Sequence, residues 1–219
     1  RLGLNPSRVR ALVAGGKIAG HKVGRQWLLD GQAVEARARA ATHAGRPFEA
    51  RNAWAILLLA SGEQPEGLDP SSLSRLRRAL RLEGIEALGP RLSKRSENGI
   101  FSAHPGEIRH LIDDPDFLPT GISAAASHGL DLLSGAEADG YIRAGSLKHF
   151  VKKHALSETG ERGNLRLRVI PDKVWPMVGS APAAPGAAVA LDLSEDRDPR
   201  SRDAGAAELA RIDAKLRTR

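Results

Sequence analysis

No acidic residue precedes Asp30, and residues 1–51 hold ten Lys or Arg against three acids, Asp30, Glu35 and Glu49. Residues 52–219 carry twenty-three charges of each sign, so the whole net charge of +7 sits in the first quarter of the chain. A sequence divided in this way is expected to fold as a small cationic unit joined to a larger, electrically balanced one. A one-signed surface of that kind draws polyanions, and nucleic acid is the partner it suggests. With 219 residues the chain is long enough for two such units, each with some core of its own.

The basic segment reads as helix, glycine break and two short strands. Asn5 suits an N-cap and Pro6 a first helical position, where its missing N–H costs nothing. Val9, Leu12 and Val13 make a narrow apolar stripe, and Gly15-Gly16 stop the helix. Ser7, Arg8, Arg10, Ala11 and Ala14 are left on the outer face, small and basic enough to enter a major groove. Ile18 to Leu29 then reads as a two-stranded wing, with Gly24 in the turn and Arg25 near the tip. Ile18, Val23, Trp27 and Leu29 are expected beneath the helix. His21, Lys22, Arg25 and Gln26 are expected to reach backbone phosphates or a minor groove. Asp30 then caps a helix through Ala33, Val34 and Ala38, and Ala40 to Pro47 forms a link.

Beyond the link, Ala50–Ala60 reads as a buried helix with Trp54, Leu57 and Leu58 inward. A second helix starts at Asp69 or Ser71 and runs through Leu73, Leu76, Leu80 and Leu82. It also carries Arg75, Arg77, Arg78 and Arg81, either a second DNA contact or an ordinary solvated face. Then follow a strand over Gly99–Ala103 and a helix over Pro105–Ile112, ended by an acidic loop, Asp113-Asp114-Pro115-Asp116. Next come a helix near Ser123–Leu133, a strand over Ala138–Arg143 and a helix over Ser146–Leu156. The strand Leu165–Ile170 alternates apolar with basic and is expected to have one wet face. Ala187–Leu193 is nearly all apolar and is expected as a central strand. Asp198-Pro199 opens a last helix through Leu216. The fold class expected is α+β: an N-terminal winged helix-turn-helix over 1–41, then a larger mixed α/β part with helices on a small sheet. That part divides into a helical segment over 48–116, open to a second winged-helix-like arrangement, and an α/β domain over 117–219.

Cysteine is absent, which excludes disulfides, thiol catalysis and the common zinc fingers, and points to the cytoplasm. The longest apolar run, Ala53–Ala60, is far short of the roughly 20 residues that span a bilayer, so no membrane partner is expected. Three Trp, one Tyr and four Phe offer few platforms for stacking single-stranded bases, so duplex DNA is the better fit. No phosphate-binding loop, metal-binding His motif or nucleophile elbow occurs, and neither a cofactor nor a catalytic residue is expected. Gly179-Ser180 followed by Asp196-Arg197-Asp198 faintly imitates a nucleotidyltransferase signature. The stretch Ala181-Pro182-Ala183-Ala184-Pro185-Gly186 between them cannot form the intervening helix, and Asp198 serves better as a cap. The seven His are scattered, and His149 and His154 lie five apart on one helix, which spoils joint metal ligation.

The segment Leu2–Ala38 resembles the excisionase and MerR-type winged helix-turn-helix family, on Leu2-Gly-Leu-Asn-Pro-Ser-Arg-Val-Arg-Ala-Leu-Val13, Gly16-Lys-Ile18 and Val23-Gly-Arg-Gln-Trp-Leu28. That resemblance implies that Pro6–Ala14 is the recognition helix and that the family's first helix belongs upstream of Leu2. The chain starts at Arg1 without Met, and that helix is expected to be missing. Phe48–Leu209 resembles the second domain of actinobacterial AbiEi-type antitoxins, partners of nucleotidyltransferase-like toxins. The words that carry it are Ser102-Ala-His-Pro105, Ala138-Asp-Gly-Tyr-Ile-Arg143, Asn164-Leu-Arg-Leu-Arg-Val-Ile-Pro171, Ala190-Leu-Asp-Leu-Ser-Glu195 and Asp198-Pro-Arg-Ser201. It implies an autorepressor that binds inverted repeats in its own promoter and counters a toxin encoded beside it, by contact or without it. The basic loop Arg91-Leu-Ser-Lys-Arg-Ser-Glu97 departs from the family's pattern. A DNA-binding regulator without a toxin partner and, further off, a nucleotidyltransferase are the rival expectations.

Overall fold

The computed structural model describes residues 20–23, 26–29, 45–132, 135–159 and 163–218. The chain divides into two units, Arg1–Arg46 and Pro47–Arg219. In the first, β1 (Gly20–Val23) and β2 (Gln26–Leu29) pair antiparallel, with Gly20 opposite Leu29 and Val23 opposite Gln26. Two residues remain between the strands, the shortest connection a hairpin commonly uses, and this is the wing's expected pairing. The helix expected over 6–14 and the one expected after Asp30 lie outside the described residues.

The second unit begins with α1 (Ala50–Ala60), in which every residue from Ala53 to Ala60 is buried. A helix apolar all round has no face for water and must lie inside. Its Trp54 ring stands edge-on to Tyr141 with centroids 4.8 Å apart, and the indole N–H donates to the Arg95 carbonyl at 3.0 Å. That partner removes the penalty of a buried, unbonded donor. α2 (Pro70–Glu83) is opened by Asp69, whose carboxylate accepts from the Ser72 N–H at 2.9 Å. It runs through Leu73, Leu76, Leu80 and Leu82 as expected and buries Leu76 and Leu80, while Leu82 is 74 % exposed. Two residues past Leu80 is about 200° round the helix, which points Leu82 outward. Gly84 then turns the chain with φ +81° into the short α3 (Ile85–Leu88). The Ile85 N–H donates at 2.6 Å to Asp213, far along the sequence, and a Cβ on Gly84 would fall 2.6 Å from the same carboxylate. Glycine is needed there both for the backbone angle and for that approach.

Among the described residues the sheet of this unit has five strands: β3 (Glu97–Ser102), β4 (Phe117–Pro119), β5 (Ala138–Arg143), β6 (Ser157–Glu158) and β7 (Leu165–Ile170). Their order is β4-β5-β7-β3-β6. β5 and β7 run parallel, with Ala138 opposite Leu165, and the other neighbours are antiparallel. The helices are α4 (Ile108–Ile112), α5 (Gly121–Ala124), α6 (Leu147–Lys153), α7 (Gly186–Ser194) and α8 (Pro199–Arg217). One face of the sheet packs Leu165, Leu167, Ile142 and Phe117 against Leu111 of α4 and Phe150 of α6. The other face sends Leu118, Tyr141 and Ile170 into a larger core with α1, α7 and α8. Alternation along β5 and β7 sorts their residues between the two.

Three expectations are corrected here. Ala187–Leu193 is helical, the middle of α7, rather than a central strand. An unbroken apolar run has no period to separate strand from buried helix, and Ala187, Ala188 and Ala190 favour the helix. β7 has no wet face: it is the middle strand of the sheet, and Arg168 on it is fully buried. The helix expected over Ser123–Leu133 is only α5 and a 3-10 turn to His128, halted by Gly129 at φ +72°. β3, within 48–116, hydrogen-bonds along β7, within 117–219.

Candidate functional site

Of the residues expected to meet DNA, Ser7, Arg8, Arg10, Ala11 and Arg25 lie outside the described residues. Lys22 and Gln26 lie on the two strands of the hairpin, Lys22 opposite Trp27 and Gln26 opposite Val23.

The four arginines of α2 are all exposed, but they do not form one stripe. Arg77 and Arg81, four apart, share the flank that carries Leu80 toward α8 and line a hollow of about 290 Å³ with Leu59 and Leu216. Arg75 and Arg78 turn to other parts of the helix surface. Arg75 donates to the Ser72 hydroxyl at 2.9 Å and Arg77 to the Gln64 side chain at 2.6 Å. Among the described residues, Arg78 and Arg81 have no acidic partner within ion-pair distance.

Sequence reasoning missed a set of buried charges where β5, β7 and α7 meet. Arg168 donates to both oxygens of Asp139, at 2.9 and 3.0 Å, and stands 3.0 Å from Asp192. Arg95, in the 3-10 segment Gly89–Arg95, reaches Asp192 at 2.7 Å and Glu195 at 2.6 Å. Thr120 donates to the second Asp192 oxygen at 2.7 Å. Burial by itself would raise the Asp192 carboxyl, but Arg168, Arg95 and Thr120 hold it below the ordinary carboxylate range. Desolvation lifts Asp139 above that range against the pull of Arg168, and burial pushes the Tyr141 hydroxyl well up. With Arg95, Arg168, Asp139 and Asp192 all nearly inaccessible, these charges tie sheet to helix, and of the four Asp139 borders a hollow, with Arg166 and Asp196. One signal in the sequence pointed to them: a lone acid, Asp192, inside an apolar run.

A second buried cluster holds the opposite face. Both ring nitrogens of His154 face carboxylates: its Nδ1 lies 2.8 Å from Glu107 and its Nε2 2.9 Å from Asp114. Lys153 pairs with Asp114 at 2.6 Å, so one acid of the run Asp113–Asp116 anchors α6. The nucleotidyltransferase-like residues do not assemble. Asp196 and Asp198 line a hollow of about 150 Å³ with Arg166 and Asn164, and neither Gly179 nor Ser180 borders it. Asp198 accepts from the Arg200 N–H as the cap of α8. Among the described residues no group of three or more His, Asp and Glu could hold a metal ion. None of their helices is long and apolar enough to cross a membrane.

Fold and charges together define a mixed α/β unit, its sheet pinned to a buried helix by ion pairs, within a chain whose first quarter is cationic and carries a two-stranded hairpin. The chain matches no protein-family model, no curated protein and no solved structure.

Proposed function

We propose that this protein is a DNA-binding autorepressor that also counteracts a nucleotidyltransferase-like toxin encoded in its operon. The observation that carries the DNA half is the segregation of charge: the entire excess of +7 lies in residues 1–51. The β1–β2 hairpin supports it, since a wing beside a recognition helix is a common way to add phosphate contacts. Arg8 and Arg10 would read bases from the helix, and Lys22 and Arg25 would hold phosphates from the wing. The toxin half is supported by the sequence words of the balanced body. Duplex DNA carrying the inverted repeats of the promoter, titrated at several salt concentrations, tests the first half. Arg25→Ala is expected to weaken binding to every duplex and flatten the salt slope by about one, whereas Arg8→Ala also relaxes sequence choice. Unchanged affinity and slope in both variants would refute the assignment. Co-expression with the adjoining reading frame tests the second half, and growth arrest that this protein does not relieve leaves a simple regulator.

A further inference from the structure

Where α1 ends, its last turn, the flank of α2 and the C-terminal half of α8 enclose two adjoining hollows. Each measures about 290 Å³, and they share Gly62, Glu63 and Leu216. The floor is apolar: Leu59, Ala60 and Leu80 from the first two helices, and Ile212 and Leu216 from α8. The walls are cationic. Arg77 and Arg81 stand on the α2 side, Arg211 and Lys215 on the α8 side. Against them stand Glu63 and Glu208, and Glu208 is already engaged by Arg211. The groove therefore has an oily base between Arg77 and Arg81 on one side and Lys215 on the other.

We propose that this groove binds an acidic amphipathic helix of a partner protein. Such a helix sets apolar side chains at i, i+3, i+4 and i+7 into the floor, and its flanking carboxylates meet Arg77 and Arg81 on one side and Lys215 on the other. Nucleic acid fits less well. A phosphate backbone has no use for the leucine floor, and the one ring among the lining residues, the His128 imidazole, is tied to the Ala184 carbonyl at 3.0 Å. A second copy of this chain offers little complement, since the exposed faces of α2 and α8 both carry arginines. The proposal concerns the body alone and goes beyond DNA binding by residues 1–51.

The test uses the full chain and a fluorescein-labelled 16-residue peptide, helical, with Leu at i, i+3, i+4 and i+7 and Glu on both flanks. Fluorescence anisotropy should show saturable binding that a scrambled peptide of the same composition weakens by about tenfold, equivalent to about 1.4 kcal/mol. Arg77→Glu with Arg81→Glu should weaken it by at least about as much. Lys148→Glu, a charge reversal on the exposed surface of α6, should leave it unchanged. Leu216→Ser provides a second route, lowering affinity without altering charge, and thermal melts establish that each variant is folded. Equal loss in Lys148→Glu, equal binding of the scrambled peptide, or no binding at all would overturn the proposal. So would a duplex DNA titration in which the Arg77/Arg81 reversal removes affinity while leaving peptide binding intact. Self-association broken by that reversal would overturn it in favour of a second copy.

Discussion

Replacing Arg168 with Met leaves the methylene stem nearly intact and removes one charge from the middle of the sheet. Asp192 would still be held by Arg95 at 2.7 Å and Thr120 at 2.7 Å. Asp139 would lose its two short bonds to Arg168 and keep the longer one to Arg166, at 3.4 Å. The variant thus weakens the pairing of a carboxylate on a residue that is 3 % exposed. Breaking a buried pair from one side costs about 3–5 kcal/mol, against a total stability of about 5–15 kcal/mol for a typical domain. For a unit of this size that is a fall of roughly 6–20 °C in Tm. Urea unfolding followed by tryptophan fluorescence measures it directly, because Trp54 is fully buried against Tyr141. The informative comparison is the double variant Arg168→Met, Asp139→Asn. With that poorly paired charge gone, it should be more stable than Arg168→Met alone, with a coupling of about 2 kcal/mol or more between the two sites. If Arg168→Met costs under about 1 kcal/mol, or the two losses simply add, the charges are not acting as a buried pair and the reasoning fails.

Helix crossing and acid sensitivity offer two further tests. A Cβ on Gly205 would fall 2.4 Å from the Ser194 nitrogen and 2.6 Å from the Ala190 carbonyl oxygen, so Gly205→Ala should force α8 off α7. A loss of about 1–3 kcal/mol in urea is expected, and a neutral or stabilising effect would show that the helices do not meet there. Burial opposes ionisation of Asp114, but Lys153 and the Asp116 N–H, with His154, hold its carboxyl below the usual value. Its folded pKa is the lower one, so this stabilisation is complete above about pH 4 and drains away as pH falls through the folded value. The stability gap between the protein and Lys153→Met, followed by thermal melts from pH 7 to 2.5, should therefore narrow in acid. A gap that stays constant would remove Asp114 from the account.

Local rules made several elements legible from residues alone. Asp69-Pro70 and Asp198-Pro199 each combine a side-chain acceptor with a residue that needs no N–H partner, and both open helices as expected. The apolar run of α1 declared its burial, and the strands Ala138–Arg143 and Leu165–Ile170 fall on the expected residues. The hairpin pairing followed from the Gly24 turn signal. The candidate sites were less legible. The charge excess is a property of composition and is visible at once, but the groove joins Gly62, Arg81 and Lys215, which no spacing rule connects.

What the sequence by itself determined was the set of decisions made within a few residues: helix starts, glycine stops, a two-residue turn and the division of charge between the two units. Tertiary structure decided the rest. It made Ala187–Leu193 a helix because that run packs beneath Gly205 of α8, and it took Arg168 out of water because Asp139 and Asp192 arrive from other elements to receive it. A guanidinium on a strand is wet or buried according to whether carboxylates meet it there, and those carboxylates come from parts of the chain that only the fold brings near.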